Sequence, residues 1–415
     1  MNKEIEFKFI TFLFSILPIS IIIGQAVSLI NVLLISIFII IEIIRSKKYY
    51  FLKNITFILL FGIFLYLLFN TYISLDKNIS FLRNIGFLRF ILLFVAINYF
   101  FYIYKNQNFY FKIWTVIILI VILDSYIEYI FGKNILGYGQ DIYADRIVSF
   151  FKDEPIVAGY LNGFFFLILG YLFNINSKNN KIYTVCIILS LIFLICVSLT
   201  GERSNTIKAI IGLSIFFLLN NKLKIKYRII TFLSLIIIII SMILSLDYLK
   251  YRYYDNIINP LINTDKREKF LNNNIYIQHY KSGYAVFKNY PLFGVGNKNY
   301  RIETNNNRFT KKNYFPDTHP HQIYLEFLSE HGIVGTVFFL FIIFFLILKN
   351  IKSCIVSKNL LQLGALSFVA INFLPILPSG AFFSDFNITL FFINFSIFLA
   401  CNPSSNIFNR KIVDR

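Results

Sequence analysis

The chain has 415 residues, of which 57% are hydrophobic and 15% charged, and its mean hydropathy is +0.67. A soluble fold of this length cannot hide that much apolar surface, so composition excludes a water-soluble globular protein. The formal net charge of +19 does not imply nucleic acid as a partner, because most of the excess sits in short loops between apolar runs, where Lys and Arg set membrane topology.

Twelve apolar runs follow one another, roughly 9–24, 28–44, 54–73, 85–103, 113–131, 156–174, 182–199, 205–220, 229–246, 332–348, 359–375 and 386–400. Each approaches the ~20 residues that cross a bilayer as a helix. Backbone groups in lipid must be satisfied internally, and the weak alternation argues against barrel strands, so the runs read as helices. The first run is long and no small-residue cleavage site follows it, so it reads as a span rather than a signal peptide. The expected fold is all-α: one polytopic membrane domain over residues 1–415, with about 12 spans.

Orientation follows from the short loops. The set 45–53, 104–112, 176–181, 221–228 and 349–358 carries 15 Lys and Arg, against 6 in the opposite set. The richer set belongs in the cytoplasm, which puts both termini there and leaves one large outer loop, residues 247–331, between spans 9 and 10. Loops of that size are usually functional. Cys186, Cys196, Cys354 and Cys401 show no disulfide or metal spacing and read as packing residues.

Polar residues collect on the outer side. Arg89 lies just inside the fourth span. Asp124 and Glu128, one turn apart near the end of the fifth, are spaced to pair with an arginine. Arg146, Asp153 and Glu154 precede the sixth. Glu202 and Arg203 occupy the turn "TGERSN", and the large loop adds Arg267, His279, Arg301, His319 and His321. Ionisable groups at membrane depth are costly and are functional candidates by default. Arg83 and Lys77 read as interfacial anchors that snorkel. Arg203 differs: its turn is short, apolar helices flank it, and it lies on the wrong side for the positive-inside rule.

Three of the four histidines lie in "THPHQIYLEFLSEHGIVG". His319 and His321 flank Pro320, which holds the backbone extended, and a helix begins directly after them. A water-side histidine at such a start suits a general base, since its pKa needs little tuning. Either of the two fits that role, whereas His331 reads as an interfacial histidine with a backbone hydrogen bond. Two histidines two residues apart are no specific metal pattern. Nor is there a phosphate-binding loop ahead of Lys-Ser or Lys-Thr.

Five segments in this order resemble the O-antigen ligase and polymerase superfamily: "DRIVSFFKDEPIVAGYL", "TGERSNTIKAI", "YPLFGVGNKNYR", "THPHQIYLEFLSEHGIVG" and "FLPILPSGAFFSDF". The resemblance runs from about residue 85 to 395. Relatives usually have Asn after the second histidine, where this chain has Gln322. Many also carry an arginine about fifteen residues before the Pro of the loop element, where this chain has none and Arg267 is the nearest upstream.

The resemblance implies a GT-C-like membrane glycosyltransferase of the bacterial inner membrane, working on the periplasmic face in O-antigen or surface polysaccharide assembly. The implied donor is an undecaprenyl diphosphate-linked glycan. The acceptor is a glycan, for a polymerase, or lipid A–core, for a ligase. It implies His321 as the base, with Arg203, Arg89 and Arg267 on the diphosphate. Supporting roles fall to Arg146, Asp153, Glu154, Glu202, His319 and Arg301, and no metal or cofactor is expected. A transporter or flippase without chemistry is the alternative. It would be expected to show repeats and broken helices at midplane rather than polar residues on one face.

Overall fold

The computed structural model describes residues 3–104, 108–139, 146–152, 154–175, 180–305 and 314–409. Among them there is no strand, only an isolated bridge between Lys133 and Gly139. All twelve apolar runs are helical. Helices α1 (Lys3–Ser15) and α2 (Leu17–Ile23) meet at a bend of 49° and together are long and apolar enough to cross a membrane, with Pro18 in the first turn of α2, where its missing N–H costs nothing. Then come α3 (Gln25–Ser46), α4 (Ile55–Ile73), α5 (Lys77–Gly86), α6 (Leu88–Ile103) and α7 (Asn108–Phe131). They are followed by α8 (Val157–Ile175), α9 (Asn180–Leu199), α10 (Arg203–Leu219) and α11 (Ile225–Ser245). Short polar residues start several of these. Asn54 accepts from Thr56 N–H, and Asp76 accepts from the N–H groups of Asn78 and Ile79.

The segment expected as a large loop is itself helical: α12 (Asp247–Leu249), a π-helical stretch Lys250–Ile258, α13 (Asn259–Ile262), α14 (Thr264–Asn273), α15 (Ile275–Asn289) and α16 (Tyr300–Asn305). Helix α17 (Ile323–Ser357) starts in this region and breaks at Gly332, whose φ of 62° and ψ of −170° are not helical. It is followed by α18 (Leu360–Asn372) and α19 (Asp385–Ala400).

Among the described residues, eight helices are long and apolar enough to cross a membrane, or nine with the bent pair. Of the other expected spans, α10 has 17 residues, α18 has 13 and α19 has 16.

The bundle centres on α8, nearly every residue of which is buried. It meets α18 at glycines: a Cβ on Gly364 would come within 2.0 Å of the Phe166 carbonyl oxygen, and one on Gly170 within 2.2 Å of that of Leu360. Lipid supplies little hydrophobic drive between helices, so such close backbone approach is the available source of cohesion. Aromatic rings fill the remaining space, as where Phe165 of α8 stacks on Phe193 of α9 with centroids 3.8 Å apart.

Candidate active site

The polar residues converge at one end of the bundle, where α6, α8, α10, α17 and α19 begin and α4, α7 and α9 end. At that end of α7, Asp124 and Glu128 are fully buried. They do not pair with an arginine. Asp124 accepts from Ile135 N–H at 3.0 Å and from the Ser149 hydroxyl at 2.5 Å, and Glu128 accepts from the N–H groups of Val148 and Ser149. A buried N–H left unpaired is costly, so the two carboxylates act as anchors for the connection between α7 and α8. Arg146 is held beside this anchor, next to Ile147, whose N–H donates to Thr200 O at 3.4 Å.

Thr200 opens the arginine turn. Gly201 takes φ +75°, which a side chain would resist, and Arg203 is the first residue of α10. Glu202 is spent on structure: it accepts from Ala158 N–H at 2.7 Å and Asn205 Nδ2 at 2.6 Å, tying α8 to α10. Loss of solvent pushes its carboxyl up to about 7, against the opposing pull of the Ala158 N–H.

The π-helical stretch brings Arg252 to this turn. Arg252 Nη2 donates to Gly201 O at 2.6 Å, and Arg203 Nη1 donates to Arg252 O at 3.1 Å. Arg146, Tyr253 and Tyr276 complete the electrostatic surroundings of Arg203. Tyr276, in the first turn of α15, stands fifteen residues before Pro291.

Across Tyr276 lies a histidine–aspartate cluster. The Tyr276 and His321 rings are 6.2 Å apart. Asp317 Oδ2 lies 3.2 Å from His321 Nε2 and 3.3 Å from His279 Nε2. His319 packs against His321 with the rings tilted by 41° and their centroids 4.0 Å apart, and its Nδ1 meets the Thr318 hydroxyl at 2.9 Å. His321 has φ +52°, an uncommon conformation for a residue with a Cβ, and its carbonyl accepts from Ser379 N–H at 2.9 Å. Gly283 of α15 lets Pro320 approach, since a Cβ there would lie 2.7 Å from the proline's own. Gln322 then caps α17 by accepting from Leu325 N–H at 2.8 Å, so the departure from Asn keeps a capping oxygen.

Burial, with His321 alongside, pushes His319 down to about 4, and burial likewise lowers His279. Burial works to raise Asp317, but the Thr318 N–H and the two histidines outweigh it and hold the carboxyl below its usual range. At neutral pH Asp317 is therefore a carboxylate beside His279 and His319, whose burial disfavours their charged forms.

A third group surrounds Asp385 at the start of α19. Arg83 Nη1 is 2.7 Å from Asp385 Oδ1, and Arg89 pairs with the same oxygen. Arg83 is thus an ion-paired residue rather than a snorkelling anchor. The glycine-rich stretch before α16 is fastened to α4 and α5 by asparagines. Asn297 N–H donates to Asn70 Oδ1 at 2.8 Å, and Asn299 Nδ2 donates to the Ser80 hydroxyl at 2.7 Å. This presents Lys298 and Arg301 to Arg83 and to Glu330 of α17. Glu330 and its neighbour Glu326 are buried and accept backbone N–H groups, from Tyr300 and Phe382.

Of the residues singled out in the sequence, Arg203, Arg146, Glu202, His319 and His321 lie along this end, with Arg89 and Arg301 in the group around Asp385. Arg267 does not join them: it is exposed on α14 and its Nε donates to Leu261 O. Glu154 is exposed, and Asp153 falls outside the described residues. His331 is not interfacial. It is fully buried among Tyr66, Phe327, Phe339 and Phe383, and neither ring nitrogen has a partner among the described residues. Sequence reasoning passed over Asp317 and Arg252 and gave His279 no role. Their signal is three-dimensional, as each acts on residues that another element supplies. His279, Asp317 and His321 also offer one ligand atom each within 4.8 Å of one another, so the fold assembles a set able to take a divalent ion where the sequence shows no such pattern. A cavity of about 540 Å³ lies at the opposite end of the same helices, between Tyr102, Asn174 and Asn406.

Residues 188–340, from within α9 to within α17, match the family model described as O-Antigen ligase. No curated protein matches the chain. The matched stretch contains Arg203, Arg252, His279, Arg301, Asp317 and His321.

Proposed function

Through residues 188–340 the chain belongs to the O-antigen ligase family, and we propose that it transfers a glycan from a polyprenyl diphosphate carrier to a hydroxyl acceptor on the periplasmic face of the bacterial inner membrane. The observation that carries this reading is the placement of an Asp317–His321 pair across Tyr276 from Arg203.

An ionised carboxylate only accepts hydrogen bonds, so the His279 and His321 Nε2 atoms that meet Asp317 carry the protons. His321 Nδ1 is then the basic lone pair. The acceptor oxygen attacks the anomeric carbon and its proton passes to Nδ1. The bond from that carbon to the diphosphate oxygen breaks, and the carrier diphosphate leaves with the electron pair. Arg203 offsets the charge that develops there, its planar fork matching phosphate oxygens. Asp317 fixes the ring and stabilises the imidazolium. In this reading neither step requires a metal.

The test is glycan transfer by the purified protein from a polyprenyl diphosphate glycan. General-base catalysis contributes ~10²–10⁴-fold, and His321→Ala should lose about that much. His319→Ala should lose far less. Full activity in His321→Ala ends the base assignment. Wild-type activity should survive chelator, and its loss would mean that His279, Asp317 and His321 hold an ion. An acceptor series separates the two activities, a polymerase extending lipid-linked glycan and a ligase loading lipid A–core.

A further inference from the structure

We infer that Arg252 is a second anion-binding arginine, and that it forms with Arg203 a paired-guanidinium site for the diphosphate of the lipid-linked donor. The inference rests on the transferase reading above but has its own grounds and its own test.

Two guanidiniums are held side by side by reciprocal bonds, Arg203 Nη1 to Arg252 O and Arg252 Nη2 to Gly201 O. Like charges repel, and a protein normally sets a carboxylate between them. Among the described residues no carboxylate lies within ion-pairing distance of either one. The sequence neighbour Glu202 is already engaged by Ala158 and Asn205, and the remaining charged group in reach of Arg203 is a third cation, Arg146. Among the described residues nothing supplies the neutralising charge, and an anionic ligand would supply it.

Donor geometry points the same way. Each guanidinium has five N–H groups, and the two bonds above use one from each. Arg252 Nε is buried without a partner, which is costly unless a ligand oxygen reaches it. The Tyr248 ring packs on the Arg252 guanidinium at 5.5 Å, which holds its plane, and Arg203 stands in the first turn of α10, whose N-cap Glu202 makes no side-chain capping bond. Two forks with several free donors fit a diphosphate, whose oxygens can be shared between them, better than a single carboxylate.

The backbone that carries Arg252 is itself unusual. Residues Lys250–Ile258 form nine residues of π-helix, whereas π geometry normally appears as a single-turn bulge, frequently at a functional site.

The test uses the full-length protein in nanodiscs of zwitterionic lipid, with undecaprenyl diphosphate and inorganic pyrophosphate as probes. In the wild type, phenylglyoxal should modify Arg252 and Arg203, and either probe should protect both, as read by peptide mass spectrometry. Equal labelling of Arg252 with and without probe would overturn the assignment. Arg252→Lys keeps the charge and loses the fork. It should weaken pyrophosphate binding by about tenfold or more and raise the donor KM, with the acceptor KM unchanged. Unchanged affinity in Arg252→Lys would reduce the residue to a clamp on the Gly201 carbonyl. Protection by phosphatidylglycerol vesicles equal to that by pyrophosphate would make the pair a lipid-headgroup site and overturn the proposal. Binding is read in the His321→Ala background as well, so a failed transferase reading leaves this result standing.

Discussion

Two arginine pairs at the same end of the bundle are neutralised in opposite ways. Arg83 and Arg89 converge on one oxygen of Asp385, and that carboxylate belongs to the fold. Arg203 and Arg252 converge on backbone carbonyls and, among the described residues, meet no carboxylate. The first pair fastens the α5–α6 junction to the start of α19. The second has no such carboxylate among the described residues, which is the ground for proposing it as an anion site. The two pairs therefore differ in whether a described carboxylate supplies the counter-charge, and position in the sequence alone does not reveal which.

The largest effect that tests this contrast is on turnover. Arg203→Lys should lose about 100-fold or more in glycan transfer while still accumulating in the membrane, because lysine keeps the charge without the bidentate fork. Arg89→Lys should lose only a few-fold, since an ammonium can still meet Asp385. Equal losses in the two variants would erase the distinction.

A smaller effect should appear in stability rather than rate. Asp385→Asn leaves Arg83 and Arg89 facing each other without their carboxylate. The groups are only partly buried, so the cost should be about 1–3 kcal/mol rather than the larger value of a fully enclosed pair. Thermal unfolding in detergent should register it as a lowered Tm, and the surviving folded protein should keep most of its transfer rate. A stable Asp385→Asn variant that has lost transfer would instead move Asp385 into the reaction.

Much of this arrangement was legible in the sequence. The twelve apolar runs became helices because lipid allows a spanning segment little else. Arg203 was expected in a short turn between two apolar helices, and it stands there as the first residue of α10. The "THPHQ" stretch was expected to stand just before a helix, and α17 does begin at Ile323, but His321 takes φ +52° rather than the extended backbone expected beside Pro320. What stayed hidden depends on pairings distant in sequence. His279 lies on α15, 38 residues before Asp317, and nothing local says that both serve one oxygen. Arg252 reads as one cation of a tyrosine-rich loop until a π-helical turn aims it at Gly201. Asp124 and Glu128 looked like partners for an arginine, yet their donors are backbone N–H groups of the α7–α8 connection, joined at Asp124 by the Ser149 hydroxyl and the Asn134 amide, and nothing local in the sequence marks that pairing.

The smallest effect concerns Glu202, the residue between the turn and its arginine. Its folded-state pKa of about 7 lies above the ordinary carboxyl value, so the fold favours the protonated form. A group raised in this way contributes stability that is fully present below its unfolded pKa, near 4.5, and is lost as pH rises through about 7. Glu202→Gln removes that titration and keeps an oxygen for the Ala158 N–H. Relative to this variant, the wild type should become progressively less stable between pH 5 and pH 8. The difference should be on the order of 1 kcal/mol once partial solvent exposure is allowed for. Transfer at pH 7 should change little in the variant, because the carboxyl is committed to Ala158 and Asn205 and not to Arg203. Parallel pH–stability curves for the two proteins would show that Glu202 is ionised throughout. Its charge would then count against that of Arg203, and the arginine pair would no longer be the uncompensated one.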